Sequence, residues 1–234
     1  MPPDAERRIR LIGRSSGEER ARYGLLLLAI VAAFAVQGIA RPGQWEQFVV
    51  ALLLATTLVL AMWAGQARPW VLRASLVVSA LVVVLSLVEA VTGHGRGVVT
   101  NIANLLLVIL APPMVVVGIL RNLRARQRVT FEALFGVLCV YLLVGMFFAF
   151  LYGVIGHING TFFANNVQST SALDLYYSFI TMTTVGYGDY TAASNLGHTL
   201  SVAEALIGQV YLVTVVSVIV ANLGRNRPTA NGPS

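Results

Sequence analysis

Long apolar runs constrain this chain more than anything else in it. Six stretches, 23–40, 45–64, 70–91, 98–120, 131–155 and 199–223, carry mainly aliphatic, aromatic and small residues. A helix needs about 20 such residues to cross the hydrocarbon of a bilayer. Inside that hydrocarbon the backbone must satisfy its own hydrogen bonds, which a helix does. Each stretch therefore predicts a transmembrane helix. Only 11% of the 234 residues are charged, against roughly 25% in soluble domains. The expected fold class is an all-α membrane protein.

A seventh apolar stretch, 172–182, is 11 residues long and holds Asp174 and several hydroxyl side chains. It is too short to cross. Such a segment is tolerated at membrane depth only where protein buries it or where it lines a cavity, so it predicts a re-entrant helix between the fifth and sixth spans. Ser171 to Asp174 is S-x-x-D, a capping-box-like start. Residues 181–189 follow as TMTTVGYGD. Gly186 and Gly188 can take positive φ at no steric cost, which lets consecutive carbonyls face one way. The short helix would also turn the partial negative charge of its C-terminus toward the membrane centre, where a cation is favoured.

Arginine placement sets the orientation. All 16 basic residues are arginine. With the N-terminus inside, the cytoplasmic segments hold Arg7, Arg8, Arg10, Arg14, Arg20, Arg22, Arg68, Arg73, Arg121, Arg124, Arg126, Arg128, Arg225 and Arg227. The outer loops hold only Arg41 and Arg96. The positive-inside rule then predicts a multi-pass protein of the plasma membrane, with both termini cytoplasmic and the 183–189 loop facing out. A basic start before an apolar run also fits a signal peptide. The run is long, however, and no disulfide-rich secreted domain follows, so 23–40 reads as a retained span. The arginines border apolar spans and form no aromatic-laced basic face, so the expected partner is the membrane surface and not nucleic acid. The single Cys139 lies inside an apolar run and cannot form an intrachain disulfide.

Residues 183–189, TTVGYGD, resemble the selectivity-filter signature of the potassium channel superfamily, in its six-transmembrane form with one pore loop per chain. The match is uninterrupted, and a short helix and two spans surround it. In detail the resemblance covers about 129–224. It implies a homotetramer, because one filter strand per chain cannot close a ring. It implies that carbonyls replace the water shell of the permeant ion, as is known for potassium filters. Thr184 would give its hydroxyl and carbonyl to the innermost K+ site, and Val185, Gly186 and Tyr187 would give carbonyls to the sites above, with Gly188 closing the row. The Tyr187 ring would pack on pore-helix aromatics, with Tyr176 and Tyr177 well placed. Thr183 and Asp189 would support the filter, Asp189 from behind the outer mouth. Some relatives pair that aspartate with a pore-helix glutamate. Here the corresponding position, nine residues before Asp189, is Ile180. No cofactor beyond the permeant K+ ions and no covalent chemistry are expected.

The last span resembles the inner, pore-lining helix. Gly208 sits 20 residues after Gly188, where many relatives have a hinge glycine; close helix packing is the alternative use of a glycine there. Leu212, Val216 and Val220 share one stripe by i+4 spacing and could form an apolar constriction that closes by dewetting. Thr214 and Ser217 lie on the competing face, and the rotation is open. Glu204 is the only acid within this span. An intramembrane carboxylate marks a functional position, and one turn before Gly208 it is placed to bond behind the filter or the pore helix.

The fourth span lacks the arginine ladder of voltage-gated relatives: 98–120 holds no basic residue. With no charge inside the field, no conventional voltage sensor is expected. Pro112 and Pro113 are expected to interrupt its middle, since proline removes a helical hydrogen bond. Arg121, Arg124, Arg126 and Arg128 anchor the inner side or bind anionic lipid. His94, His157 and His198 all fall on the outer side, where sensing of external pH is one use and no special role the other. Asn159-Gly160-Thr161 is a sequon, or an Asn-Gly turn.

The expected organisation is an Arg-rich tail (1–22), a four-helix transmembrane domain without gating charges (23–120), a linker (121–130), a pore module (131–224) and a short tail (225–234) with no room for a gating domain. The expected function is a potassium-selective channel subunit, not conventionally voltage-gated. A weakly selective cation channel and a non-conducting scaffold or sensor are the rivals.

Overall fold

The computed structural model describes residues 22–40, 43–64, 68–92, 98–126, 131–218 and 220–221. The elements are α1 (Arg22–Ile39), α2 (Gln44–Ala64), α3 (Pro69–Thr92), α4 (Val98–Arg126), α5 (Phe131–Asn159), a 3-10 turn (Ala164–Asn166), α6 (Ser171–Met182) and α7 (Asn195–Tyr211). α7 continues as a single π turn over Leu212–Val216. The fold is all-α. Phe163 and Ala192 form one isolated antiparallel bridge.

Five of the described helices are long and apolar enough to cross a membrane: Arg22–Ile39, Trp45–Trp63, Pro69–Thr92, Ala133–Asn159 and Asn195–Val216. In α4 the apolar part is Asn101–Val117. At 1.5 Å per residue α5 is about 44 Å long, more than the roughly 30 Å hydrocarbon, and α6 is only about 18 Å. Leu28, Val77, Leu81, Val91, Val202 and Val213 are exposed. Apolar side chains on the outside as well as the inside belong to helices whose solvent is lipid.

Two features differ from expectation. α4 runs unbroken through Pro112 and Pro113; in membrane helices neighbouring groups can re-satisfy the freed carbonyls. α7 begins at Asn195, four residues before the expected span, because Ser194 caps it by accepting from Gly197 N–H at 3.1 Å.

The helices before α5 pack on the α5–α7 part of the same chain. One core joins Leu26 and Ile30 of α1, Leu54 and Leu58 of α2, Leu107 and Val115 of α4, Leu143 and Met146 of α5, and Leu175 of α6. α3 joins through a stripe of Ser75, Ser79, Val82 and Ser86, small residues that allow close approach to its neighbours. Phe34 of α1 meets Phe179 of α6 edge to face, 4.9 Å between centroids. Arg22, at the start of α1, lies 4.1 Å over the ring of Trp63, at the end of α2, a cation–π contact. At the other end of α1, Gln37 donates to the carbonyl of Ser171 at the start of α6. The start of α1 and the start of α6 therefore lie at opposite ends of the helix stack.

Candidate functional site

The site begins with how α6 is held. Thr170, not Ser171, is its N-cap: the Thr170 hydroxyl accepts from Leu173 N–H at 3.3 Å. The S-x-x-D reading was one residue out of register, because the extended residue before the first helical turn is Thr170. Asp174 is buried in that first turn and accepts from the Ser169 hydroxyl. Burial pushes its carboxyl up to about 7, against the lowering effect of that bond. Gly153 of α5 makes room for it: a Cβ there would stand 2.9 Å from Asp174 Oδ2.

At its C-terminal end α6 unwinds into the loop. Thr183 N–H bonds Phe179 O at 3.0 Å, Thr184 N–H bonds Thr181 O at 2.9 Å, and Gly186 N–H bonds Ile180 O at 3.0 Å. The Thr183 hydroxyl also turns back to Phe179 O at 2.6 Å. These bonds bend the chain back along the helix it has just left. Thr184, Gly186 and Gly188 have φ of +60°, +51° and +78°, while Val185 and Tyr187 keep negative φ. The sign of φ thus alternates residue by residue. Such alternation turns successive peptide planes so that their carbonyls can line one side. Glycine takes the left-handed region freely. Thr184 does not, and its positive φ was not legible from residue type.

Behind the loop, three helices meet on Glu204. Its side chain is fully buried. Tyr152 of α5 donates to Glu204 Oε2 at 2.6 Å, and Ser178 of α6 contacts Glu204 Oε1. Ser178 Oγ also bonds the Gly145 carbonyl of α5 at 2.7 Å. Glu204 was expected near the pore helix; Tyr152 and Ser178 as its partners were not, since nothing marks them in a run of similar residues. Tyr177 is 2.8 Å from Ser201 of α7 and sits in an aromatic cluster with Tyr152, Phe162 and Phe163. The loop between α5 and α6 is stitched to the segment before α7: Ala193 N–H bonds Phe162 O at 2.9 Å, and Ala164 N–H bonds Thr191 O at 2.8 Å.

Tyr187 is 72% exposed and Val185 is 51% exposed. Within the single chain, neither Tyr176 nor Tyr177 stacks on the Tyr187 ring among the described residues. Tyr176 instead donates to Asp189 Oδ2 at 2.7 Å, and that bond holds its phenol up at about 12. Asp189 Oδ1 accepts from Tyr190 N–H at 3.1 Å. The carboxylate therefore has a partner on α6, but it is a tyrosine one turn before Ile180. A hollow of about 350 Å³ lies against the loop, lined in part by Tyr177, Ile180, Thr184, Gly186, Gly188 and Ser201.

Below the loop, Gly208 packs directly on the last residue of α6. A Cβ there would meet Met182 Cγ at 2.5 Å and Met182 O at 2.6 Å. Close packing is thus a sufficient reason for this glycine. Gln209 reaches Thr184 Oγ1 and Met182 O, each at 3.5 Å. The expected stripe of Leu212, Val216 and Val220 is not a continuous open face. In the π turn Ser217 N–H bonds Leu212 O, five residues back, and the extra residue shifts the register that i+4 spacing assumes. Val216 is partly buried against the core while Val220 is exposed.

His157 Nδ1 is 2.7 Å from Gly153 O, and His198 Nε2 is 2.8 Å from Ala192 O. Gly160, the first residue after α5, has φ +90°. His94, Arg41, Arg96, Arg128, Arg225, Arg227 and the 1–21 tail lie outside the described residues, as do the side chains of Arg121, Arg124 and Arg126.

Residues 136–225 match the family model described as ion channel. Comparison with curated proteins and with solved structures gave no match. The matched residues hold most of α5, all of α6, the 183–189 loop and α7, and the match supports an ion channel built from these elements.

Proposed function

We propose that this chain is one subunit of a homotetrameric potassium-selective channel. The observation that carries the proposal is the alternating φ of residues 184–188. A backbone folded that way can present the carbonyls of Thr184, Val185, Gly186 and Tyr187 in a row, with the Thr184 hydroxyl at its inner end. Such a row substitutes for the hydration shell of K+. The ion follows its electrochemical gradient, with no cofactor and no covalent step. Four chains around one axis give the row its other three sides. They also cover Tyr187 and Val185, which a single chain leaves exposed.

In this reading six helices cross the plasma membrane, with α4 among them, and α6 enters and leaves on the outer side. The arginine distribution puts both termini in the cytoplasm. Residues 23–120 form a transmembrane domain without gating charges, 131–224 the pore module, and 121–130 their linker, whose arginines face anionic lipid. Thr183, Tyr176, Tyr177, Asp189 and Glu204 support the filter from behind, and α7 carries the gate at or below Gly208.

Reconstitution of the purified chain in liposomes tests this. A potassium gradient should drive flux that barium or a quaternary ammonium ion blocks. Absence of flux from well-folded tetramers would favour a non-conducting scaffold.

A further inference from the structure

The bonds around Glu204 do not balance if its carboxylate is ionised. Three close oxygen–oxygen contacts meet there: Tyr152 with Glu204 Oε2, Ser178 with Glu204 Oε1, and Ser178 with Gly145 O. Each contact needs one proton between its oxygens. Tyr152 and Ser178 supply one each, because a hydroxyl has a single hydrogen. The Gly145 carbonyl can only accept. An ionised Glu204 therefore leaves two acceptors facing each other without a proton, and a protonated one supplies the third.

The surroundings favour the same form. Glu204, Ser178 and Tyr152 are fully buried. A buried carboxylate is stable only when a cation or several donors compensate it. Among the described residues no Arg or His contacts Glu204. The titratable groups that face it are phenols: Tyr152 in direct contact and Tyr141 at longer range, both from α5. From α6, Tyr177 faces Tyr152 and bonds Ser201.

We infer that Glu204 rests as a neutral carboxylic acid that donates to Ser178. It is then a positioning residue, which ties α6 to α5 and α7 only while it keeps its proton. When base takes that proton, the Ser178 hydroxyl must choose between the carboxylate and Gly145 O. One of the two ties is lost, and α6 with the loop at its end is loosened from the helices behind it. A conducting pore would therefore lose flux reversibly as pH rises. This consequence rests on the channel reading, whereas the protonation state does not.

Two measurements on the full chain in liposomes separate these claims. The first is infrared spectroscopy at neutral pH. The carbonyl stretch of a protonated carboxylic acid should be present, survive Asp174→Asn in part, and lose a component in Glu204→Gln. If Glu204→Gln does not fold, Ser178→Ala in the folded chain should shift the same component, because the acid loses its acceptor. A spectrum that neither substitution changes overturns the inference, whether or not the chain conducts. The second is the pH profile of potassium flux, each variant scaled to its own maximum. Flux limited by the protonated fraction falls about tenfold per pH unit once the acid titrates. Glu204→Gln keeps an amide donor and an acceptor in place, and its profile should lose that fall. An alkaline fall unchanged in Glu204→Gln overturns the link to conduction.

Discussion

Gly208 of α7 stands against Met182, the last residue of α6, so closely that a Cβ would lie 2.6 Å from the Met182 carbonyl oxygen. α7 thus touches the chain at the point where the loop begins. Gly208→Ala should push the two apart. Overpacking of this kind costs about 1–3 kcal/mol. Thermal unfolding of the purified chain should show the loss, and flux should fall with it. A variant of wild-type stability would mean that the contact relaxes freely.

Gly186 has φ +51° with open space around its α-carbon. Gly186→Ala therefore meets no clash, only the cost of a left-handed backbone, roughly 1–2 kcal/mol. The loop should relieve this by turning a peptide plane. Flux should be lost while the tetramer still forms, as size-exclusion chromatography would report. Unchanged flux would remove the loop from the conduction path.

Tyr176 and Asp189 are joined by a single hydrogen bond. Tyr176→Phe and Asp189→Ala should each lower potassium flux through the reconstituted chain, because each removes this bond. The double variant should be little worse than either single one, since both remove the same contact. Additive effects would show that the bond does not matter.

Asp174 gives a pH dependence of stability with a definite sign. Its carboxyl ionises near 3.8 when free and near 7 in the fold, where burial opposes the charge. Between these values the folded chain holds a proton that the unfolded chain has lost, so stability is greatest at low pH and falls as pH rises toward 7. Asp174→Asn should flatten that slope in unfolding measurements from pH 4 to 8. A slope unchanged by the substitution would contradict the assignment.

Much of this architecture is legible in the chain itself, for physical reasons. Five of the spans announce themselves because lipid demands apolar length, while the apolar part of α4, Asn101–Val117, falls short of it. α6 announces itself by being too short, and the loop by glycines at positions 186 and 188. What stays hidden depends on contacts between distant residues. Ser178 looks like any hydroxyl in an apolar helix until Gly145 and Glu204 close around it. Thr184 carries no sign of its left-handed backbone. The π turn at Leu212–Val216 arises in a segment of mostly β-branched residues with no proline or glycine to mark it, and it shifts the register that i+4 spacing assumes. Pro112 and Pro113 misled in the other direction, because α4 absorbs both without ending.

The central claim is that residues 184–188 select potassium. The most direct test is the reversal potential of the reconstituted channel with potassium on one side and sodium on the other. The account predicts a reversal strongly displaced toward the potassium equilibrium potential, and loss of that displacement in Gly186→Ala if any current remains. A reversal near zero in the wild-type chain would contradict it and would leave a weakly selective cation pore.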